Sequence, residues 1–154
     1  MTALDQLNPD FRDMLCALID EGVRFLVVGA YAVSFHGHPR TTGDIDLWVR
    51  PDADNATRVW RALERFGAPR AALGLDESDF ARPDNVVQLG VLPRRIDLLT
   101  SVSGVSFDAA WPHRVEVAWE SRIVPFLGID DLLRNKRATA RAKAGSIARG
   151  WSGD

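Results

Sequence analysis

The sequence is poor in several features that would point to particular classes of protein. It has one cysteine among 154 residues. Cys16 therefore has no internal disulfide partner, and a zinc site built from several thiolates is excluded. No run of 18 or more apolar residues occurs, so no membrane span is expected. The opening Met1-Thr-Ala-Leu-Asp-Gln lacks the basic stretch and apolar run of a signal peptide, which leads to the expectation of a cytoplasmic protein. A basic excess is also missing. With 19 basic and 21 acidic side chains the formal charge is −2, unlike a dedicated non-specific DNA binder. What is present is an ordinary globular composition, 46% hydrophobic and 26% charged. That length and composition fit one domain with a real core.

Local patterns give the order of elements. Asn8-Pro9 before Asp10 and Asp13 reads as a capped helix start, with Phe11, Met14, Leu15, Leu18 and Ile19 on its apolar face and Gly22 at its end. Cys16 sits beside that face as a small apolar residue. Val23 to Val28 reads as a strand buried on both faces. Gly29-Ala30 closes it and leads into one or two helical turns up to Phe35. After the turn-like His38-Pro39-Arg40-Thr41-Thr42-Gly43, Asp44 to Val49 reads as a second strand. A helix capped by Asp52 or Asp54 follows, its inner face carrying Val59, Leu63 and Phe66 and its end at Gly67. Residues 68–85 read mostly as loop, with Leu73 and Leu75 assigned to a short helix. Val86–Leu92 and Arg95–Thr100 pattern as a hairpin, and a helical turn is placed at Phe107–Trp111. Val115–Trp119 and Arg122–Phe126 pattern as partner strands, and Gly128 opens a last, basic helix. The expected fold is α+β, a mixed sheet flanked by helices. One domain is expected over residues 1–143, with 144–154 as a frayed tail.

The chemistry concentrates in Asp44-Ile45-Asp46-Leu47. Acids two apart on a strand share a face, so both carboxylates point one way while Ile45 and Leu47 enter the core. Such close like charges repel by a few kcal/mol at an effective dielectric of about 20. A divalent cation, a nearby arginine or full hydration would offset that cost. Arg95-Ile96-Asp97-Leu98-Leu99 repeats the motif with one acid. If its strand lies beside the first, three oxygen donors converge in a way that suits Mg²⁺. The competing reading is the solvent face of a half-exposed sheet. Upstream, Gly29-Ala30 after a strand could offer backbone N–H groups to phosphate oxygens, or be an ordinary tight turn.

In order along the chain, an apolar residue, Gly29-Ala30, thirteen residues, Asp44-Ile45-Asp46-Leu47 and a later Ile96-Asp97-Leu98 resemble the nucleotidyltransferase superfamily of the DNA polymerase β type. Phe25 to Val49 looks most like small bacterial members of the abortive-infection and toxin–antitoxin branch. Looser similarity runs through Leu132-Leu133-Arg134-Asn135-Lys136-Arg137-Ala138 to Arg141. The resemblance implies transfer of a nucleoside monophosphate from a nucleoside triphosphate (NTP) to a hydroxyl of a protein or tRNA, with release of pyrophosphate. It implies two Mg²⁺ ions held by Asp44, Asp46 and Asp97, and triphosphate contacts from Gly29 and Ala30. It also implies a toxin–antitoxin or phage-defence setting with a cognate partner protein.

Two departures set the alternative, a catalytically silent nucleotide-binding or partner-binding module with the same fold. Ala30 stands where the family carries Gly or Ser. The chain also turns glycine-rich after Lys143, where relatives continue into an acid-bearing helix. Arg40, Thr41 and Thr42 precede the acidic strand, where they could reach the triphosphate or brace the acids. Lys136 is read either as a phosphate contact or as part of a solvated helix face. Basic residues 134–143 allow either RNA guidance or helix-dipole complementarity. His36 and His38 lack a third soft ligand nearby and read as loop histidines. Trp48, Trp60, Trp111 and Trp119 read as core or half-buried residues.

Overall fold

Asn8 starts the first helix as its composition requires. In the computed structural model, which describes residues 3–37, 43–91 and 94–148, its side chain accepts a hydrogen bond from the Phe11 N–H at 3.0 Å. Pro9 takes the first helical position, where a missing N–H costs nothing. Helix α1 (Pro9–Asp20) buries Phe11, Met14, Leu15, Ala17 and Leu18. Strand β1 (Phe25–Val28) follows, buried along its whole length. It runs directly into α2 (Gly29–Phe35). Strand β2 (Ile45–Val49) and helix α3 (Ala53–Phe66) come next. Asp52 caps α3, and Gly67 ends it in the left-handed conformation (φ 88°) that glycine adopts without strain.

The hairpin of β3 (Val86–Leu89) and β4 (Ile96–Leu99) leads to a short helix α4 (Phe107–Ala110). Strands β5 (Val115–Trp119) and β6 (Arg122–Phe126) then precede α5 (Ile129–Ala148). The described residues build a six-stranded sheet in the order β3-β4-β2-β1-β6-β5. β1 pairs antiparallel with β2 and parallel with β6, and β2 pairs parallel with β4. The fold is therefore the expected α+β, mixed-sheet type.

The core forms on both faces of β2: Ile45 and Leu47 alternate with Trp48, and all three are buried. Trp48 packs edge-on against Phe107 of α4 at 5.1 Å. Trp119 is also buried, while Trp60 and Trp111 are half-buried under the guanidinium groups of Arg70 and Arg114. α1 packs beside α3, and α2 is pinned to β6 by stacking of Phe35 on Phe126 at 4.4 Å. No helix among the described residues is long and apolar enough to cross a membrane.

Three local findings differ from the sequence reading or lie outside it. Leu73 and Leu75 do not form a helix. The helical turn lies later, a 3-10 turn over Glu77–Phe80 closed by reciprocal Asp76 and Asp79 hydrogen bonds. It drives Phe80 into the core against Trp60. The last helix reaches Ala148, five residues past the boundary expected at 143. Asn55, on the first turn of α3, is buried: its side-chain amide donates to the Arg24 and Arg50 carbonyls at 3.0 and 2.9 Å. Its side-chain oxygen accepts from the Arg24 N–H at 2.8 Å. One side chain thus clamps the start of β1 to the end of β2.

Candidate active site

The opposite end of these two strands gathers the acids. β2 and β4 run parallel in a register that sets Asp46 opposite Asp97. β1 returns on the other side of β2 so that Val28 lies opposite Asp46. The next residue, Gly29, therefore lands against the Asp46 carboxylate. A Cβ at Gly29 would stand 2.2 Å from Asp46 Oδ2, and its φ of +67° lies in the region that favours glycine. The glycine is dictated twice, by conformation and by the approach of a carboxylate. Helix α2 begins at this point, and among the described residues no side chain caps its N-terminus. The first N–H groups of the helix, those of Gly29 and Ala30, belong to the turn that faces Asp46.

Asp44 lies just before β2, and Arg95 just before β4. The guanidinium of Arg95 forks onto Asp97, with Nε donating to Oδ1 at 2.9 Å and Nη2 to Oδ2 at 3.3 Å. The same Nη2 donates to Asp44 Oδ2 at 3.1 Å. Of the three ways to offset clustered carboxylates, the fold therefore supplies an arginine, and it comes from the strand that brings the third acid. Asp46 receives none of these bonds. Its carboxyl is pushed up from 3.8 to about 6. Burial is the largest cause, followed by the charge of Asp97, a hydrogen bond between the two carboxyls and the charge of Asp44; Arg95 pulls the other way. Asp97 is buried and Asp46 is half-buried.

Gly29, Ala30, Asp44, Asp46 and Asp97 are thus brought to one end of the sheet. Lys136 is exposed on α5 and makes no ion pair among the described residues. Arg40, Thr41, Thr42 and His38 lie outside the described residues. His36 ends α2, where its ring hydrogen-bonds the Leu127 carbonyl at 2.9 Å. Arg95 was missed as a member of the site, although strand alternation puts it on the face of Asp97 two residues on.

The donor set suits a hard cation, since carboxylate oxygens are what Mg²⁺ accepts. The guanidinium already stands in for a cation between Asp44 and Asp97. Among the described residues, no group of three or more histidine, cysteine, aspartate or glutamate side chains is placed so that together they could hold a metal ion.

No family model and no curated protein matches the chain. Among solved structures, the chain is similar to the crystal structure of a "putative nucleotidyltransferase" from Thermotoga maritima. The two superpose with a TM-score of 0.66 over 95% of this chain and 94% of that one, at 15% sequence identity. At such identity the likeness is one of fold, and it spans nearly the whole of both chains.

Proposed function

We propose that the chain is a Mg²⁺-dependent nucleotidyltransferase. In this reading it moves a nucleoside monophosphate from an NTP to a hydroxyl of a protein or tRNA and releases pyrophosphate. The observation that carries the reading is Asp46, aligned with Asp97 across parallel strands and pressed against the Gly29 turn. Neither a solvated sheet face nor an ordinary turn asks for that arrangement. A solvent face would leave its acids exposed, whereas Asp97 is buried here. An ordinary turn would not drive a carboxylate against a glycine.

Asp44, Asp46 and Asp97 would hold the cations, two ions by the family resemblance. Bound Mg²⁺ supplies charge neutralisation for the triphosphate and for the pyrophosphate that leaves it. The turn at Gly29 and Ala30 presents backbone N–H groups, which every residue but proline retains, so Ala30 in place of Gly or Ser keeps the donor. The acceptor hydroxyl oxygen attacks the α-phosphorus, and the bond to the β-phosphate oxygen breaks with its electron pair. The Asp97 carboxylate takes the hydroxyl proton or orients the attacking oxygen. Catalysis of this kind is mostly positioning and electrostatics, which a small rigid sheet end can provide. Arg40, Thr41, Thr42 and Lys136 are the proposed contacts to the remaining phosphates. The toxin–antitoxin or phage-defence setting, with its partner protein and the cytoplasm as compartment, belongs to the same proposal.

The test is incubation with each α-labelled NTP, Mg²⁺ and cell extract, beside Asp46→Ala. Label transferred by the native chain and lost in the variant supports the reading; equal label with both, or none with either, overturns it. One observation favours a second reading, a silent module that binds a nucleotide or a partner. An arginine already neutralises two of the three carboxylates. Calorimetry separates the two, because nucleotide binding that is indifferent to Mg²⁺ and without turnover belongs to the silent module.

A further inference from the structure

Arg95 does more than close a salt bridge. Its side chain and that of Asp44 are each 27% exposed, while the Asp97 side chain is 10% exposed. Both oxygens of Asp97 accept from its fork, and one of its nitrogens is shared with Asp44. A guanidinium keeps its charge at every accessible pH and holds a planar geometry matched to a carboxylate. It lies on two of the groups that would bind metal and carries the sign of charge a metal would bring.

We infer that Arg95 is a built-in counter-cation that competes with the divalent ion for Asp97 and Asp44. It holds the carboxylates together in the metal-free chain and weakens their grip on a metal. The inference rests on the metal-dependent reading above and deepens it. A purely structural salt bridge makes the opposite prediction, because its loss would let the carboxylates spread and metal binding fall. Competition predicts a gain, because a positive charge within a few Å opposes a dication strongly even at an effective dielectric of about 20.

The experiment is Mn²⁺ binding by the full chain without nucleotide, followed by calorimetry and by the electron paramagnetic resonance signal of free Mn²⁺. Native protein, Arg95→Gln, Arg95→Lys and Asp46→Asn are compared. Arg95→Gln is expected to bind Mn²⁺ about tenfold tighter. Arg95→Lys keeps the charge and is expected to stay within about threefold of the native affinity. Without metal, Arg95→Gln melts below the native chain, and saturating Mn²⁺ closes that gap. Should Arg95→Gln require metal to fold, it is prepared in Mn²⁺ and its affinity is read by titration with a competing chelator. Unchanged or weaker binding in Arg95→Gln, with native binding intact, overturns the role of Arg95 alone. Absence of Mn²⁺ binding in every protein overturns the metal-dependent reading and this inference with it.

Discussion

The two ends of the β1–β2 pair are built on opposite principles. At the Phe25–Val49 end, Asn55 satisfies two carbonyls and one N–H with a neutral amide, and Asp52 caps the helix that carries it. At the Val28–Asp46 end, three carboxylates crowd around one guanidinium, and one of them, Asp46, is held partly out of water. The same two strands join them, so the difference does not come from the strand pairing. One end lowers the free energy of the fold. The other accepts repulsion and desolvation that Arg95 offsets for Asp44 and Asp97 and leaves largely uncompensated at Asp46. A protein with no use for that second end would be expected to replace it with neutral residues.

Four substitutions sharpen or break this contrast. The largest effect is expected from Asp46→Ala, with nucleotidyl transfer falling by a factor of about a thousand or more while the fold is retained. Transfer assays beside circular dichroism check both halves. Gly29→Ala comes next. Its Cβ meets Asp46 Oδ2 and its positive φ becomes strained, so a loss of about 2–4 kcal/mol is expected together with loss of activity. Urea titration and the transfer assay read these two effects. Asn55→Ala removes three hydrogen bonds and leaves the Arg24 N–H without its side-chain partner, at an expected cost of about 1–3 kcal/mol. Activity per folded molecule should not change. A parallel loss of activity in Asn55→Ala would show that the two ends are not independent.

The smallest effect has the opposite sign. The folded-state pKa of Asp46 is raised from 3.8 to about 6, so the folded chain binds more protons than the unfolded one between these values. Stability of the metal-free chain therefore falls as pH rises from about 4 to about 6, and the loss persists above that range. Asp46→Asn removes the charge and should stabilise the metal-free chain at pH 7 by about 1–2 kcal/mol, after discounting for partial exposure and screening. Melting curves across that range, in chelator, should be flatter for the variant. Equal slopes would show that Asp46 is not held out of water.

Much of the site could be read from residue order because alternation and spacing carry it. Asp44 and Asp46 two apart on a strand, and the glycine that ends the preceding strand, are local signals. Placing Asp97 beside them required only that β4 neighbour β2, as it does. What escaped depends on tertiary register. Asn55 was not singled out in the sequence, yet it shares the helix face of Val59 and Leu63 and lies over the ends of two strands. Phe80 was a lone apolar residue in a polar stretch, too sparse to show periodicity, and is buried because Trp60 offers it a neighbour. Arg95 read as the first residue of a strand. Its partner Asp44 lies 51 residues away, beyond the range of any local pattern.

That separation bears on how the molecule is made. The acidic pair of residues 44 and 46 can take its place beside β1 early in synthesis, but its counter-charge and third carboxylate arrive about fifty residues later. Until the β3–β4 hairpin docks, the growing chain carries a cluster of repelling acids with nothing to calm it. Assembly of the acidic cluster therefore waits on β4, and the repulsion around residues 44 and 46 is offset by Arg95 only once that strand has joined the sheet.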